Sequence, residues 1–562
     1  MKNPFSFAVI VCCFAVRCAN TQDQIREPAS EPTSATPVAE APAETAAPTL
    51  LPPTNGPLYG IAETFDQFLA GELDAADEEA LHQSCQERPR DNPFCSSIQN
   101  RKFYEQVRQT RTQEKRKLKT SNRAVRPKII KGNLANWEDL RKASPQGLLK
   151  GFSKIRSTEL EVIRNHAISE TTCPNNAAIA LAAHAEDDLP DHTSIEALAS
   201  LYAKGAECLT EATERETLFT RAGLFLYISK KYIQAITLFE RAAIHDGVFT
   251  GRSLYWLYRA HQRAGNQSLA RATFAVLKDK YPFAFHTLIA DMENNEDPGA
   301  VLARSVAPPK RRSLLNTALN SLIEQVEILQ QLGFERSAHK VLDWAIATSV
   351  ESEPELRLYL AELKRVQGDN HGKIALLSEV LYQNPELISR QTMELYFPKA
   401  FFSLFEKFAG GVDPYLLLAI ARRESAFNVQ AVSPANARGL LQVMPATSRR
   451  LTKSRKPASP EVNVQVGARY VRELMKRVEW RMHLALAAYN AGPKRATQWD
   501  ERYRSLSDDL VQFIDLIPFR ETRDYVAAVL RNYYWYRRIH EPDDKAYLER
   551  LKVMLTRKFP KS

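Results

Sequence analysis

A glutamate at the end of an apolar helical stripe is the residue of this chain best suited to proton transfer. Asp413-Pro414 predicts a helix start, because Asp can cap a helix and Pro fits its first turn. Glu424 lies four residues after Ile420 and three after Ala421, and therefore on the same helical face. Burial there would raise the pKa of the carboxyl group and keep it protonated near neutral pH, ready to act as a general acid. The pattern alone is weak, since most glutamates beside an apolar face reach out to water.

Three further motifs follow this glutamate in the chain. A loop rich in Ser, Pro, Asn and Gly, residues 427–441, contains Ser433 and leads into GLLQVMP at 439–445. AAYNAG stands at 487–492, and IPFRETRDYV at 517–526. Functional residues are often carried on such loops, so these segments strengthen the case for a site around Glu424.

Together with Glu424-Ser425, these motifs resemble the soluble lytic transglycosylases of bacteria, whose catalytic domain is similar to goose lysozyme. The family pattern is ES, a Ser-containing loop, GLMQ-x-MP, AYNAG and a terminal E-T-R-x-Y-V, and both order and spacing match. The resemblance is sharpest over 397–540 and looser upstream, where 253–274 looks like the superhelical domain of the family. Residues 58–150 match nothing recognisable.

Two positions depart from the family pattern without removing a chemical group. Leu441 replaces the usual Met of GLMQ, which is a swap of similar volume. Asn436 stands where the family commonly has Gly, and Asn is the next most tolerant residue if that position needs a positive φ. Neither change argues against activity.

The resemblance implies peptidoglycan as the substrate and the β-1,4 bond from N-acetylmuramic acid to N-acetylglucosamine as the bond cleaved. Glu424 would protonate the glycosidic oxygen and then take a proton from the muramoyl 6-hydroxyl, which leaves a 1,6-anhydro end. No metal and no organic cofactor is implied. Ser425 would support the end of the Glu424 helix. By the same resemblance, six residues would line the groove or contact the sugars: Ser433, Gln442, Met444, Tyr489, Asn490 and Glu521.

Alternatives remain open for several of these residues. Glu521 could form a structural ion pair with Arg523 or another Arg, Tyr489 could be a core aromatic, and Gln442 could bond the loop. A hydrolytic muramidase would need a water molecule held opposite Glu424, with Glu521 or Glu461 as the second carboxylate. A non-catalytic wall-binding scaffold is the alternative from a different functional class.

The elements that must position these residues are predicted to be helices. Glycine is scarce, with 20 in 562 residues, which favours helices. The sequence contains no run of 18 or more apolar residues, so we expect no transmembrane helix. Ala235-x3-Phe239 recurs 35 residues later as Ala270-x3-Phe274, and Gly333 recurs at Gly368, again 35 apart. Such spacing is typical of stacked helical hairpins, with a generic helix bundle as the alternative. We therefore expect a mostly all-α chain, with an α-superhelical, TPR-like region before a lysozyme-like, mainly helical catalytic domain.

Five segments are expected along the chain. Residues 1–19 read as a signal peptide, with Lys2 before an apolar run, and 20–57 as a Pro/Ala/Thr-rich tether. A helical region with a basic stretch follows at 58–150, then a superhelical domain at 151–395 and the catalytic domain at 396–562. Cys18 could carry a lipid anchor, although plain cleavage nearby fits almost as well. The protein is thus expected to be exported and periplasmic, with membrane anchoring left open.

The net charge of +10 is accounted for by one stretch. Residues 101–131 hold 12 Lys or Arg and two Glu, and few aromatic side chains, so nucleic acid is not indicated. An anionic envelope polymer or membrane surface is the expected partner, if the stretch is more than a solvated helix face. Oligomeric state is not predicted.

Cysteine and histidine spacing indicates disulfides and no metal site. Outside the leader stand Cys85, Cys95, Cys173 and Cys208, an even number that suggests disulfides in an exported chain, Cys85–Cys95 first; free buried thiols are the alternative. His184 and His192 flank the acidic stretch 186–188, which we interpret as solvated loop residues and not as metal ligands.

Overall fold

The computed structural model describes residues 57–87, 92–120, 137–152, 157–187, 194–244, 247, 249–313, 316–350, 352–452 and 459–559. The predicted signal peptide, Cys18, nearly all of the tether, His192 and residues 121–131 of the basic stretch lie outside them. The described residues form helices and contain only isolated β-bridges. The mostly all-α prediction is confirmed.

The helices fall into three runs along the chain. The first run is α1 Pro57–Ala70, α2 Ala75–Glu87, α3 Cys95–Thr120, α4 Trp137–Lys142, α5 Pro145–Phe152, α6 Ser157–Ser169, α7 Asn176–Asp187 and α8 Ile195–Glu207. The second is α9 Ala212–Ile228, α10 Tyr232–Ala242, α11 Thr250–Arg263, α12 Gln267–Lys280, α13 Phe285–Glu293, α14 Thr317–Gln331, α15 Glu335–Thr348, α16 Pro354–Val366, α17 Asn370–Gln383 and α18 Arg390–Tyr396. The third is α19 Phe402–Phe408, α20 Pro414–Ser425, α21 Pro445–Thr452, α22 Pro460–Arg477, α23 Met482–Ala491, α24 Pro493–Tyr503, α25 Leu510–Leu516, α26 Arg520–His540 and α27 Lys545–Leu555. Two short 3₁₀ helices lie at Pro298–Ala303 and Pro385–Leu387.

The glycines at the predicted repeat spacing end helices. Gly333 and Gly368 have φ values of 82° and 69°, and Gly265 between α11 and α12 has the same conformation with φ of 82°. In each turn the next residue donates its N–H to a carbonyl five residues earlier, for example Phe334 to Leu329 at 2.9 Å. This left-handed glycine cap satisfies carbonyls that the helix end leaves free. The 35-residue spacing therefore marks helical hairpins, as predicted.

Small residues let the hairpins approach closely. Ala235 and Phe239 of α10 are fully buried, and the Phe239 ring lies against Gly223 of α9. A Cβ atom on Gly223 would stand 2.6 Å from that ring, so a side chain there would force the two helices apart.

Helices α1 and α3 pack on α14 and α15, which follow more than 200 residues later. The rings of Tyr104 and Trp344 stack with centroids 5.6 Å apart, and Ser97 Oγ donates to Gln325 Oε1 at 2.5 Å. A disulfide joins Cys85 to Cys95, which confirms the predicted pair. A second disulfide joins the remaining two cysteines, Cys173 and Cys208. The domain limits expected from the sequence remain predictions.

The interpretation of the acidic stretch near His184 as a solvated loop was wrong. His184 and Glu186 belong to α7, and Glu186 is buried. Arg221 Nε donates to Glu186 Oε2 at 2.9 Å, and Tyr503 donates to Glu186 Oε1 at 3.1 Å. A local reading of polarity missed this because the arginine that neutralises Glu186 and the tyrosine that donates to it lie on α9 and α24, far away in sequence.

Buried ion pairs join the superhelical helices to the last third of the chain, at what we call the seam: Glu186, Arg221, Arg252, Arg259, Asp509, Asp515 and Asp524. Asp515, at the end of α25, accepts hydrogen bonds from Trp256 at 2.7 Å and pairs with Arg252 at 2.9 Å. Its Oδ2 also lies 2.8 Å from His286 Nε2. Arg252 reaches further, and its Nη2 donates to Asp524 Oδ1 of α26 at 2.8 Å. The superhelical region therefore holds the start of α26, which carries part of the candidate site.

Among the described residues, we find no helix with both the length and the apolar character needed to cross a membrane.

Candidate active site

The helix that carries Glu424 begins where the sequence predicts, at Asp413-Pro414, and ends at Ser425. Asp413 caps α20, and its side chain accepts a hydrogen bond from the Tyr415 N–H at 2.8 Å. Residues 415–422 of this helix are all buried. The chain then leaves the helix through two consecutive left-handed residues, Ala426 with φ of 47° and Phe427 with φ of 65°. Backbone strain of this kind often accompanies functional sites, and here it lies directly after Glu424.

Glu424 is a half-buried carboxyl group with a raised pKa. Burial raises the pKa to about 7, and the neighbouring charge of Glu521 adds to the rise. A hydrogen bond from Tyr525 and the positive charge of Arg423 oppose it. The rise predicted from the apolar stripe is therefore found, and the group can be protonated at neutral pH.

Two tyrosines flank the carboxyl group. The rings of Tyr489 and Tyr525 are parallel within 5°, and their centroids lie 6.5 Å apart. Burial raises the pKa of both hydroxyl groups, and the charge of the nearby Glu424 raises it further. The Tyr489 hydroxyl donates to the Leu441 carbonyl at 2.6 Å, so the alternative of a core aromatic with a satisfied hydroxyl describes part of its role. Tyr525 was missed as a site residue, although it stands inside the terminal E-T-R-x-Y-V motif.

Asn490 and Glu521 lie side by side near Glu424, and we call the region around Glu424, Tyr489, Asn490 and Glu521 the cleft. Asn490 Nδ2 donates to Glu521 Oε1 at 3.3 Å, and Asn490 Oδ1 accepts from the Thr522 hydroxyl at 2.6 Å. Burial raises the pKa of Glu521, against the hydrogen bond from Asn490 and the charge of Arg423. Arg523 points elsewhere and donates to the Ile517 carbonyl at 2.9 Å. The ion pair between Glu521 and Arg523 that we considered is therefore absent from this part of the chain.

The loop after Glu424 is fixed mainly by bonds within itself. Ser433 and Ala437 exchange two hydrogen bonds, in which Ser433 N donates to the Ala437 carbonyl at 2.9 Å and Ala437 N donates to Ser433 Oγ at 3.0 Å. Asn436, between them, has φ of 67°, which explains why Asn stands where the family commonly has Gly. Gln442 Nε2 donates to the Gly439 carbonyl at 2.9 Å and to the Ala431 carbonyl at 3.1 Å. The loop-bonding alternative for Gln442 is thus observed for its amide nitrogen.

Two further side chains tie the loop to the helices. Ser425 Oγ donates to the Leu440 carbonyl at 2.9 Å and so ties the end of α20 to the loop, while its supporting role in catalysis stays a prediction. Asn463 of α22 is buried, receives the Leu441 N–H at 2.9 Å and donates to the Arg438 carbonyl at 2.8 Å. Sequence reasoning missed Asn463 because it lies outside the four motifs. A Cβ atom on Gly439 would stand 2.5 Å from the side-chain amide nitrogen of Asn463, so only glycine allows the loop to approach Asn463 this closely.

The remaining candidates lie at the surface. The Met444 side chain is 40% exposed, so an apolar surface is available beside the loop. Glu461 forms an exposed ion pair with Lys407 at 2.8 Å. The structure thus brings Glu424, Tyr489, Asn490 and Glu521 together. Ser433 and Gln442 belong to the loop that follows Glu424. Glu461 pairs with Lys407 instead of joining this group.

Known proteins resemble this chain in the same region. The chain is 37% identical over 156 residues to a soluble lytic murein transglycosylase of Salmonella typhimurium, a match that covers 26% of this chain and 24% of that protein. It is 35% identical over 156 residues to a protein of the same description from Escherichia coli, with the same two shares. The matched region thus spans about a quarter of the length of these curated relatives.

A solved structure of the lytic transglycosylase Slt from Pseudomonas aeruginosa is similar to the chain at a TM-score of 0.49, with 19% identity over 87% of this chain and 97% of that one.

Residues 404–512 match the family model described as the Transglycosylase SLT domain. The matched range contains Glu424, the loop and the AAYNAG segment, and it ends before α26 begins. The resemblance seen in the motifs is therefore confirmed for residues 404–512, which match the Transglycosylase SLT domain.

Proposed function

We propose that the chain is a peptidoglycan lytic transglycosylase that cleaves the β-1,4 bond from N-acetylmuramic acid to N-acetylglucosamine and leaves a 1,6-anhydromuramoyl end. The observation that carries the proposal is the Glu424 carboxyl group, whose pKa burial raises to about 7 beside Tyr489, Tyr525 and Glu521. A group with that pKa can give up a proton and take one back near neutral pH, which is the property this chemistry requires.

In the first step the protonated Glu424 gives its proton to the glycosidic oxygen. The C1–O bond of the muramoyl residue breaks, the N-acetylglucosamine unit leaves as an alcohol, and positive charge develops at C1 and the ring oxygen. The Glu424 carboxylate formed in this step accepts a hydrogen bond from Tyr525, which stabilises the charged form.

In the second step the Glu424 carboxylate takes the proton of the muramoyl 6-hydroxyl. The 6-oxygen forms a bond to C1 of the same sugar, which closes the 1,6-anhydro ring and returns Glu424 to its protonated state. The whole reaction consumes no water, so one carboxyl group is sufficient.

The other cleft residues orient the glycan in this proposal. Asn490 and Glu521 present an amide and a carboxyl group beside Glu424, where they can hydrogen bond to sugar hydroxyl and acetamido groups. Met444 offers an exposed apolar surface, while Ser433 and Gln442 shape the loop over the groove. Orientation of this kind supplies a large share of the rate in intramolecular ring closure.

The cellular place of the protein is part of the proposal. Two disulfides in the described residues fit an exported, periplasmic protein, since such bonds persist in oxidising compartments. Membrane anchoring through a lipidated Cys18 and docking of the basic stretch 101–131 on an anionic envelope polymer or membrane surface remain predictions.

Mass spectrometry of the products from purified sacculi tests the function. We expect wild type to release muropeptides one water lighter than those with reducing ends, and Glu424→Gln to lose about 10²-fold or more of the activity. The Gln variant keeps the size of the side chain, and thermal unfolding checks that it folds.

Two outcomes would replace the proposal. Products with reducing ends would assign the site to a hydrolytic muramidase, in which Glu521 holds the water, since Glu521 already lies close enough to raise the pKa of Glu424. Equal product release by wild type and Glu424→Gln would show that Glu424 is not catalytic and would favour a non-catalytic wall-binding scaffold.

A further inference from the structure

A groove of about 520 Å³ lies between α19, the end of α21 and α22, and none of the residues that define the cleft belongs to its wall. The apolar residues of the wall are Phe408, Leu451 and Val466, and Gln465 stands beside them. The volume is typical of sites that hold a small molecule. The groove is therefore a second concave site on the last third of the chain.

The charged residues that line this groove are all cations: Lys407, Arg469 and Arg472. Among the described residues of the wall there is no Asp or Glu. Lys407 pairs with Glu461 at 2.8 Å, and Arg469 pairs with Glu473 at 3.5 Å, both at the surface. Exposed ion pairs contribute little free energy, so a bound anion can compete with these two carboxylates for the cations.

Arg472 is held at the wall by the backbone of α19's end and not by a carboxylate. Its Nη1 donates to the Gly410 carbonyl at 3.3 Å, and it forms no ion pair within the described ranges. Gly410 has φ of 55°, and a Cβ atom there would collide with the guanidinium group. The glycine thus makes room for Arg472, whose other N–H groups can donate to a ligand.

The groove and the loop after Glu424 lie on different sides of α22. Gln465, Arg469 and Arg472 follow one another at spacings of four and three and share one helical face. Asn463 and Gly467 contact the loop, and they stand two residues before Gln465 and Arg469. Because residues two apart point to nearly opposite sides of an α-helix, a ligand in the groove would leave the cleft open.

We propose that this groove binds a phosphorylated saccharide, with the phosphate group held by Arg469 and Arg472 and the sugar ring against Phe408. Planar guanidinium groups match phosphate oxygens with parallel hydrogen bonds. A phosphate monoester carries between one and two negative charges near neutral pH, so two arginines suit it better than they suit a single carboxylate. The apolar wall fits the faces of a sugar ring, and the Gln465 amide can bond its hydroxyl groups.

Calorimetry on the full chain with glucose 1-phosphate, glucose and glucuronate tests the site without any catalytic assay. We expect glucose 1-phosphate to bind, glucose to show no binding, and glucuronate to bind about tenfold more weakly than the phosphate.

Two variants locate the binding. Arg469→Gln should weaken binding of glucose 1-phosphate by about tenfold, through the loss of a charge-assisted hydrogen bond. Arg477→Gln is the matched control and should leave binding unchanged, because Arg477 is exposed on the same helix but lies outside the wall. Gly410→Ala keeps every charge and displaces Arg472, so it should weaken binding as well. Thermal unfolding checks that each variant folds.

Three results would overturn the proposal. Glucuronate binding as tightly as glucose 1-phosphate would assign the groove to carboxylates. Equal weakening by Arg469→Gln and Arg477→Gln would reduce the binding to general attraction between charges. Binding to vesicles of phosphatidylglycerol that glucose 1-phosphate does not displace would point to a lipid surface. Because these assays need no turnover, their outcome is independent of the proposed function.

Discussion

The half-buried Glu424 and the buried Asp515 are two carboxyl groups whose pKa values shift in opposite directions. Burial raises the pKa of Glu424 to about 7 in the cleft. At the seam burial acts in the same direction on Asp515, yet His286, Arg252 and Trp256 hold the pKa of that carboxyl well below its usual range. At the seam, Trp256 and His286 nitrogen atoms lie 2.7 and 2.8 Å from one oxygen of Asp515, and the Arg252 guanidinium lies 2.9 Å from the other. In the cleft, Glu424 has the Tyr525 hydroxyl as a partner and Glu521 nearby.

The difference shows that burial alone does not assign a role to an acid. A buried carboxylate surrounded by cations and donors is held in its charged form and joins elements together. A carboxyl group buried with fewer compensating partners keeps its proton and remains available for chemistry, at some expense of stability. Substitutions at the seam and in the cleft should therefore have opposite effects on stability.

The largest effect is expected from two arginines seven residues apart on α11. Arg252 and Arg259 both reach carboxylates at the seam, Asp515 at 2.9 Å and Asp509 at 2.8 Å, so replacing either by Met should lower the free energy of unfolding by about 3 to 5 kcal/mol. Arg252 also holds Asp524, the residue before Tyr525, so Arg252→Met alone should lower kcat. Denaturant unfolding and kcat at saturating glycan measure the two effects, and a similar fall in kcat for Arg259→Met would show that the loss is general.

Asp515→Asn should destabilise the fold by about 3 kcal/mol at neutral pH, because the amide keeps the shape but not the charge that His286 and Arg252 surround. The pKa of Asp515 is depressed in the folded state, so its contribution is complete above the ordinary value of 3.8 and is lost as the pH falls below it. The free energy of unfolding of wild type and variant should be measured from pH 7 to pH 3, and the difference between the two should become smaller at the acid end. A gap that stays constant to pH 3 would mean that charge is not the source of the effect.

Glu424→Gln should do the reverse and stabilise the protein. The pKa of Glu424 is raised from 4.5 to about 7, so ionisation opposes folding above pH 7 by at most about 3 kcal/mol, and the amide removes that penalty. The gain should be full above pH 7 and vanish below the ordinary value of 4.5. Thermal unfolding at pH 8 and pH 4 measures it, and an unchanged or lower Tm at pH 8 would contradict the comparison.

The smallest effects concern the pH dependence of the reaction. Activity should fall as the pH rises through about 7, where Glu424 loses its proton. Tyr525→Phe removes a bond that favours the charged form and should move this limb upward by roughly half to one pH unit, whereas Glu521→Gln removes a negative charge and should move it downward. The pH profile of kcat/KM measures both, and shifts in the same direction would argue against these assignments.

The parts of the molecule that could be predicted from the sequence are those with a local cause. The position of Glu424 follows from helical spacing, the conformation of Asn436 follows from the tolerance of Asn for positive φ, and the hairpin turns follow from the repeated glycines at Gly333 and Gly368. The short Cys85–Cys95 loop also follows from spacing in the chain.

The parts that could not be predicted depend on residues distant in sequence. Nothing in the local pattern around Glu186 indicates that Arg221 neutralises it and that Tyr503 donates a hydrogen bond to it. Asn463 holds the loop from 22 residues beyond Leu441, in a helix whose sequence carries no motif. Tyr525 stood inside a motif, but only the packing of α26 against α20 brings its hydroxyl to Glu424.

All seven cysteines of the chain precede residue 209. The two disulfides, Cys85–Cys95 and Cys173–Cys208, therefore cross-link only the first part of the chain. A reductant can therefore act covalently only on that part, and it removes up to a few kcal/mol of support from those helices. The cleft around Glu424 contains no thiol that could be oxidised, nitrosylated or joined to glutathione. Reagents that attack thiols would thus leave its proton chemistry untouched, and the exposed sulfur beside the loop is the thioether of Met444.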